Sequence, residues 1–214
     1  MALVTGASRG IGAATAVALA AEGAHLLLAA RTVGGLEDTD DRIRALGGSA
    51  TLVPLDLASP EASEQLAAAI YERHGRLDVW VSAAAELGAL TPLGHADPEA
   101  WNRVLDTNLH ANWRLIRTLD PLLRRAPKAH ALFATCTEGR EARAYWGAYA
   151  VSKAGLEQLV GIWAAELRLT QVKAALIDPG PSATRLRAQA FPGEDPTLLQ
   201  SPEDAARPFL AAID

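Results

Sequence analysis

Apolar residues in this chain fall into short unbroken runs, separated by longer stretches in which they recur every three or four positions. The runs are Ala2–Thr5, His25–Ala30, Ala50–Leu55, Val79–Ala83, Ala131–Ala134 and Val172–Ile177. A continuous run of this length suits a parallel strand covered on both faces. The intervening segments near residues 10–22, 36–46, 61–74, 98–119 and 149–168, and again at Pro202–Ile213, predict helices. Pro60 and Pro98 mark helix starts, with Ser59 and Asp97 as candidate caps. Strand and helix alternating from end to end predict an α/β chain, a doubly wound parallel sheet with helices on both faces.

Composition narrows the class. Half of the 214 residues are apolar and 21% are charged, enough for a full core. The length fits one domain spanning 1–214. The net charge of −5 supplies no basic field for nucleic acid or acidic membranes. The apolar stretch Ala13–Ala21 is too short to span a bilayer and follows a Gly/Ser/Arg turn, so it reads as a buried helix. One cysteine and no export signal point to a cytoplasmic protein. The five histidines show no metal-ligand spacing, and Arg124, Arg125 and Lys128 form a short solvated patch. Residues 182–201, with Pro192, Gly193 and Pro196, read as the one long irregular piece, a lid or a plain surface loop.

The first run leads directly into Thr5-Gly6-Ala7-Ser8-Arg9-Gly10-Ile11-Gly12, and then a helix begins. Glycines let a backbone approach a pyrophosphate, and the helix N-terminus offers free N–H groups and a positive dipole end. A strand before and a helix after are the context that makes such a pattern a dinucleotide site. The residue about twenty positions past the glycines meets the ribose 2′ position. Here that residue is Arg31, with no acid before Glu37, and Arg9 can reach the same place. Guanidinium groups suit a 2′-phosphate, so the reading is NADP(H) rather than NAD(H).

Tyr149 and Lys153 stand four apart at a helix start, so phenol and ammonium share a face. A cation beside a phenol lowers its pKa, and such a tyrosine can pass a proton to or from a substrate oxygen. Together with Asp56 after the third run, Asn108 in Thr107-Asn108-Leu109, and Pro179-Gly180 with Thr184, these motifs resemble the short-chain dehydrogenase/reductase family over essentially the whole chain. Trp146-Gly147-Ala148-Tyr149 and the segment 190–196 resemble a bacterial branch of uncharacterised oxidoreductases; the ketoacyl-carrier-protein reductases are similar more distantly. The resemblance implies a Rossmann-type sheet and a small carbonyl or alcohol substrate. It makes Tyr149 the general acid/base and gives Lys153 the nicotinamide ribose. Asn108 holds a relay water, and Asp56 and Leu57 meet the adenine. Pro179, Gly180 and Thr184 meet the nicotinamide. Gly6, Ser8, Gly10, Ile11, Gly12 and Ala83 complete the expected cofactor contacts.

Three departures from the family stand out. The family's Asn-Asn-Ala-Gly at the end of the fourth strand is Ser82-Ala83-Ala84-Ala85, which removes asparagine support and requires no positive φ at Ala85. The family's catalytic serine, thirteen residues before the tyrosine, is Cys136, flanked by Thr135 and Thr137, either of which a register shift would bring into place. A thiol is a weaker donor than a hydroxyl. The family's last strand is expected to be missing, which leaves six strands in the order 3-2-1-4-5-6 and favours a homodimer through the helices near 98–119 and 149–168. Trp113 and Trp163 are candidate anchors there, or core residues. Cys136, Glu138, Trp146 and Phe191 are candidate substrate-pocket residues. The departures also motivate an alternative, a catalytically weak NADP(H)-binding sensor or interaction protein.

Overall fold

The computed structural model describes residues 1–213. Its six strands are β1 (Ala2–Thr5), β2 (His25–Ala30), β3 (Ser49–Pro54), β4 (Val79–Ser82), β5 (Ala129–Ala134) and β6 (Val172–Ile177). All pair in parallel, in the order β3-β2-β1-β4-β5-β6. The expected architecture is therefore present. Six α-helices connect them, α1 (Gly10–Ala21), α2 (Val33–Ala45), α3 (Ala62–His74), α4 (Pro98–Leu105), α5 (Ala111–Leu123) and α6 (Gly147–Glu166), and among the described residues α7 (Arg185–Ala190) and α8 (Pro202–Ala211) follow the last strand.

Side chains alternate across a strand, and both sets are apolar here, so each face of the sheet builds its own core. Leu3, Leu27, Trp80 and Phe133 face α3, α5 and α6. Val4, Leu26, Leu28 and Val81 face α1, α2 and Phe209 of α8. Trp80 packs edge-on to Phe133 at 4.8 Å, and Trp163 closes the cluster at 6.2–6.3 Å from both rings. Trp163 is only 4% exposed and its indole N–H donates to Asp120, so it is a core residue and not an interface anchor. Trp113, 47% exposed, stays on the surface with Arg117 stacked on it.

Three local expectations are corrected. Residues 98–119 are not one uniform helix: a π-helical turn at 106–110 separates α4 from α5, and Asn108 sits in it. Such turns redirect side chains locally and are frequent at functional sites. Asp97 caps α4 as expected, accepting from the Ala100 N–H at 2.8 Å. Ser59 does not cap α3. Glu61 already has helical dihedrals, so Ser59 lies two residues ahead of the cap position and donates to the Glu61 carboxylate instead. The segment 182–201 is not irregular: it holds α7 and a 3₁₀ turn at Pro196–Leu198. Thr184 caps α7, accepting from the Arg187 N–H, and Gln200 is bonded to both Ser182 and Pro179. Among the described residues no helix is long and apolar enough to cross a membrane.

Candidate active site

The strand order reverses between β1 and β4, and the chain leaves a cleft of about 1070 Å³ at the carboxyl ends of the strands there. This is where ligands bind in open α/β sheets. The turn after β1 forms its floor. Gly6 and Gly10 have positive φ (74° and 56°), which side-chain-bearing residues rarely adopt. A Cβ on Gly12 would lie 2.3 Å from the Gly6 carbonyl oxygen, so the turn closes only with glycine there. The first turn of α1 carries no acid, and Arg9 makes no side-chain cap bond, so the helix offers uncapped N–H groups to an anion. A phosphate-bearing dinucleotide fits this floor. Ser8, Arg9 and Ile11 line it.

Beyond the turn the cleft divides into two ends. Arg31, Asp56, Leu57 and Ala83 line one, and Arg9 Nη2 donates to Thr32 Oγ1 beside Arg31 at 3.1 Å. Arg31 itself is not free-standing: its Nη1 lies 3.2 Å from Glu86 Oε2. Arg103 joins Glu86 (3.2 Å) to Asp56 (3.5 Å). Asp56 also accepts from the Ala58 N–H.

At the other end α6 presents Tyr149 and Lys153, both buried. Cys136 Sγ lies 3.8 Å from the Tyr149 hydroxyl. Thr135 also lines the cleft but donates its hydroxyl to Glu157, and Thr137 is exposed, so of the three candidates it is the thiol that contacts the phenol. Lys153 Nζ donates to the Ala134 carbonyl at 2.9 Å and lies 5.8 Å from the Tyr149 ring centroid. Burial, with Cys136 and Glu138 adding to it, pushes the Tyr149 phenol well above its ordinary value. Burial likewise pushes the Lys153 ammonium down and the Cys136 thiol up. The expected lowering of the phenol by Lys153 is thus absent: desolvation of a buried phenol outweighs this cation.

The wall above Tyr149 is aromatic. Trp146 meets Tyr149 edge-on at 5.8 Å and Phe191 at 5.6 Å. Arg143 lies over both Trp146 and Phe191, and Arg187 stacks on Phe191 at 3.8 Å while forking onto Glu194 with two 2.6 Å bonds. Glu138 faces the cleft with Arg143 at 3.8 Å. Tyr145, at φ 75°, takes a left-handed conformation that delivers Trp146 into this wall. Pro179 and Thr184 line the cleft between the two ends, and Gly180 shapes the adjoining turn with φ 74°.

Asn108 lies behind the cleft wall, fully buried. Its Oδ1 accepts from the Glu86 N–H (2.8 Å), and its Nδ2 donates to the Glu86 carbonyl (2.9 Å) and to Ser152 Oγ (3.0 Å). Ser152 donates to the Tyr149 carbonyl. Asn112 continues the chain, donating to the Asn108 carbonyl and accepting from Ser82 Oγ at 2.6 Å. Ser82 and Asn112 therefore supply support where the family's asparagines are absent, and Ala85 needs no positive φ. Sequence reasoning did not find Glu86, Arg103, Asn112, Arg143 or Arg187. Each contacts the site from a separate segment, and no local spacing signals it.

Residues 1–195 match the family described as short chain dehydrogenase. The chain belongs to that family. It is 35% identical over 211 residues to the uncharacterised oxidoreductase YciK of Escherichia coli K12, covering 97% of this chain and 83% of YciK. A solved Pseudomonas syringae chain assigned to the short chain dehydrogenases superposes with a TM-score of 0.95 at 39% identity, covering 99% of this chain and 87% of that one. An Escherichia coli CFT073 short chain dehydrogenase, solved in complex with NADPH, gives a TM-score of 0.94 at 35% identity, covering 99% and 89%.

Proposed function

We propose that this oxidoreductase uses NADP(H) to reduce a small carbonyl compound, or to oxidise the corresponding alcohol, with Tyr149 as the general acid/base. The observation that carries the reading is the buried Tyr149 hydroxyl facing the cleft beside Cys136, with Lys153 one turn along the same helix. The cofactor assignment is supported by Arg31 just past β2, by Arg9 reaching from the glycine turn to Thr32 beside it, and by the NADPH-complexed relative. The glycine turn and α1 hold the pyrophosphate, Arg31 takes the 2′-phosphate, Asp56 and Leu57 the adenine, and Lys153 the nicotinamide ribose. Pro179, Gly180 and Thr184 border the nicotinamide. The bound cofactor supplies or accepts the hydride.

The chain's own part is proton handling and orientation. A phenol held protonated by burial is ready to donate to a carbonyl oxygen. Cys136 orients that oxygen through a weak S–H donor. Asn108 braces Ser152 beneath Tyr149, and the family resemblance assigns it the water between Lys153 and solvent. Trp146 and Phe191 form an apolar wall, and Glu138 adds one carboxylate, which together suit a partly apolar substrate.

We treat 1–214 as one dinucleotide-binding and catalytic domain in which 182–201 acts as a lid, since this segment carries Phe191 and Arg187 over the cleft. Half-exposed Trp113, Val151 and Ile162 on α5 and α6 support a homodimer through these helices. The free thiol of Cys136 accords with a cytoplasmic setting.

The test is a carbonyl panel monitored by NADPH oxidation. Turnover of at least one member is expected. Tight NADPH binding with no turnover on any member would favour the sensor reading instead.

A further inference from the structure

Arg31 begins just past the last residue of β2, and Glu86 lies in the loop after β4. β1 stands between those two strands, so the Arg31–Glu86 ion pair crosses the cleft above the end of β1, over the glycine turn. Glu86 is held in place from behind. The Asn108 amide bonds both its N–H and its carbonyl, which fixes the point from which the carboxylate projects. The other carboxylate oxygen takes Arg103, which reaches on to Asp56. Arg31, Glu86, Arg103 and Asp56 thus form a chain of alternating charge along the adenosine end, in which Glu86 touches both arginines.

We propose that Glu86 is a specificity-determining latch: it holds Arg31 across the cleft and lowers the preference for a nucleotide carrying a 2′-phosphate. The proposal rests on the NADP(H) reading above. A guanidinium grips a phosphate best through two donors at once. With Nη1 committed to Glu86, only the Nε/Nη2 edge is left for a phosphate while the pair holds, and a grip through both terminal nitrogens requires it to break. In either arrangement the carboxylate, fixed by its backbone, faces a like-charged phosphate on the same guanidinium. A nucleotide with a plain 2′-hydroxyl meets neither obstacle. Glu86 therefore taxes only the 2′-phosphorylated ligand, by about the worth of one exposed ion pair, roughly two- to fivefold in affinity.

The test isolates this end of the cleft with two probes, adenosine 2′,5′-bisphosphate and adenosine 5′-monophosphate, titrated calorimetrically into the whole unliganded protein. Glu86→Gln keeps the shape and removes the charge, and the Asn108 bonds go to the backbone and survive. It should tighten the bisphosphate roughly two- to fivefold and leave the monophosphate unchanged, with the gain shrinking at high salt as exposed pairs are screened. Glu86→Ala should act in the same direction. An unchanged affinity ratio in both variants overturns the latch. So does a ratio that falls, because Glu86 would then be orienting Arg31 for the phosphate. Equal affinities for the two probes in the unaltered protein would refute the NADP(H) preference; alongside a selective gain in Glu86→Gln they would still support the latch, and without that gain both ideas fail.

Discussion

At the adenosine end of the cleft, the floor is backbone. Two glycines at positive φ, a third that no Cβ can replace and an uncapped helix start occupy one stretch of seven residues, 6–12. At the opposite end, the groups gathered around the Tyr149 phenol are side chains. Cys136 comes from the end of β5, Tyr149 and Lys153 from α6, and Phe191 from the segment after β6. A backbone cradle is specified locally and tolerates little change. A side-chain pocket is assembled from distant segments and can be rebuilt one residue at a time. That contrast accounts for where this chain departs from its family. The glycine turn is intact, whereas the serine position has become Cys136 and the asparagine support has become Ser82 with Asn112.

The largest expected effect tests the side-chain end. Tyr149→Phe removes the proton donor and keeps the ring packed against Trp146. It should lower kcat/KM for carbonyl reduction by about 10²–10⁴-fold, the usual worth of a positioned acid, with NADPH affinity by titration little changed. Full activity in this variant would refute the mechanism.

The adenosine end supplies the next effect. Arg31→Asp should weaken NADPH by about tenfold or more relative to NADH, since a hydrogen bond to a charged group is lost and a repulsive charge is gained. Equal Kd values for the two nucleotides in the unaltered protein would contradict the assignment.

How much the sequence disclosed follows the same division. The unbroken apolar runs placed all six strands: β1, β2, β4 and β5 are buried on both faces and have no polar register to obscure them, and the partly buried edge strands β3 and β6 still read as mainly apolar runs. The glycine turn and the Tyr149/Lys153 pair were readable because their chemistry depends on spacing within a few residues. The π-helical turn at 106–110 left no periodic trace, and Asn108 could be named only by resemblance. The Arg31–Glu86 pair joins residues 55 apart in the chain, and Arg140, which reaches both Glu157 and Asp178, is equally non-local. Trp163 showed the limit of composition: an aromatic on a helix fits an interface and a core equally well, and only packing against Trp80 and Phe133 decides.

A smaller effect is expected at the thiol. Cys136→Ser replaces a weak donor with a hydroxyl aimed at the same cleft, and should raise kcat/KM several-fold toward what a well-placed donor contributes. Cys136→Ala should cost little, because a poor donor has little to lose. Thr135→Val should leave the ranking of the two Cys136 variants intact and act only through Glu157, which its hydroxyl contacts. Severe loss in a threonine variant, with no response at Cys136, would move the donor role away from the thiol.

The smallest effect is a titration, read on the unliganded protein. Tyr149 is buried, and Cys136 and Glu138 press on it with negative charge or hydrogen bonds that favour the neutral phenol. A group whose neutral acid form is favoured ionises later as pH rises. The Tyr149 contribution to phenolate absorbance, taken as the unaltered protein minus Tyr149→Phe, should therefore appear above the ordinary phenol value of 10.0. Glu138→Gln removes one carboxylate from the pocket, so the same difference curve should move to lower pH. Burial is the larger cause, so the curve should still lie above the ordinary value. A phenol that already titrates below 10 in the unliganded protein would mean that Lys153, not desolvation, governs this end of the cleft, as the four-residue spacing alone predicts.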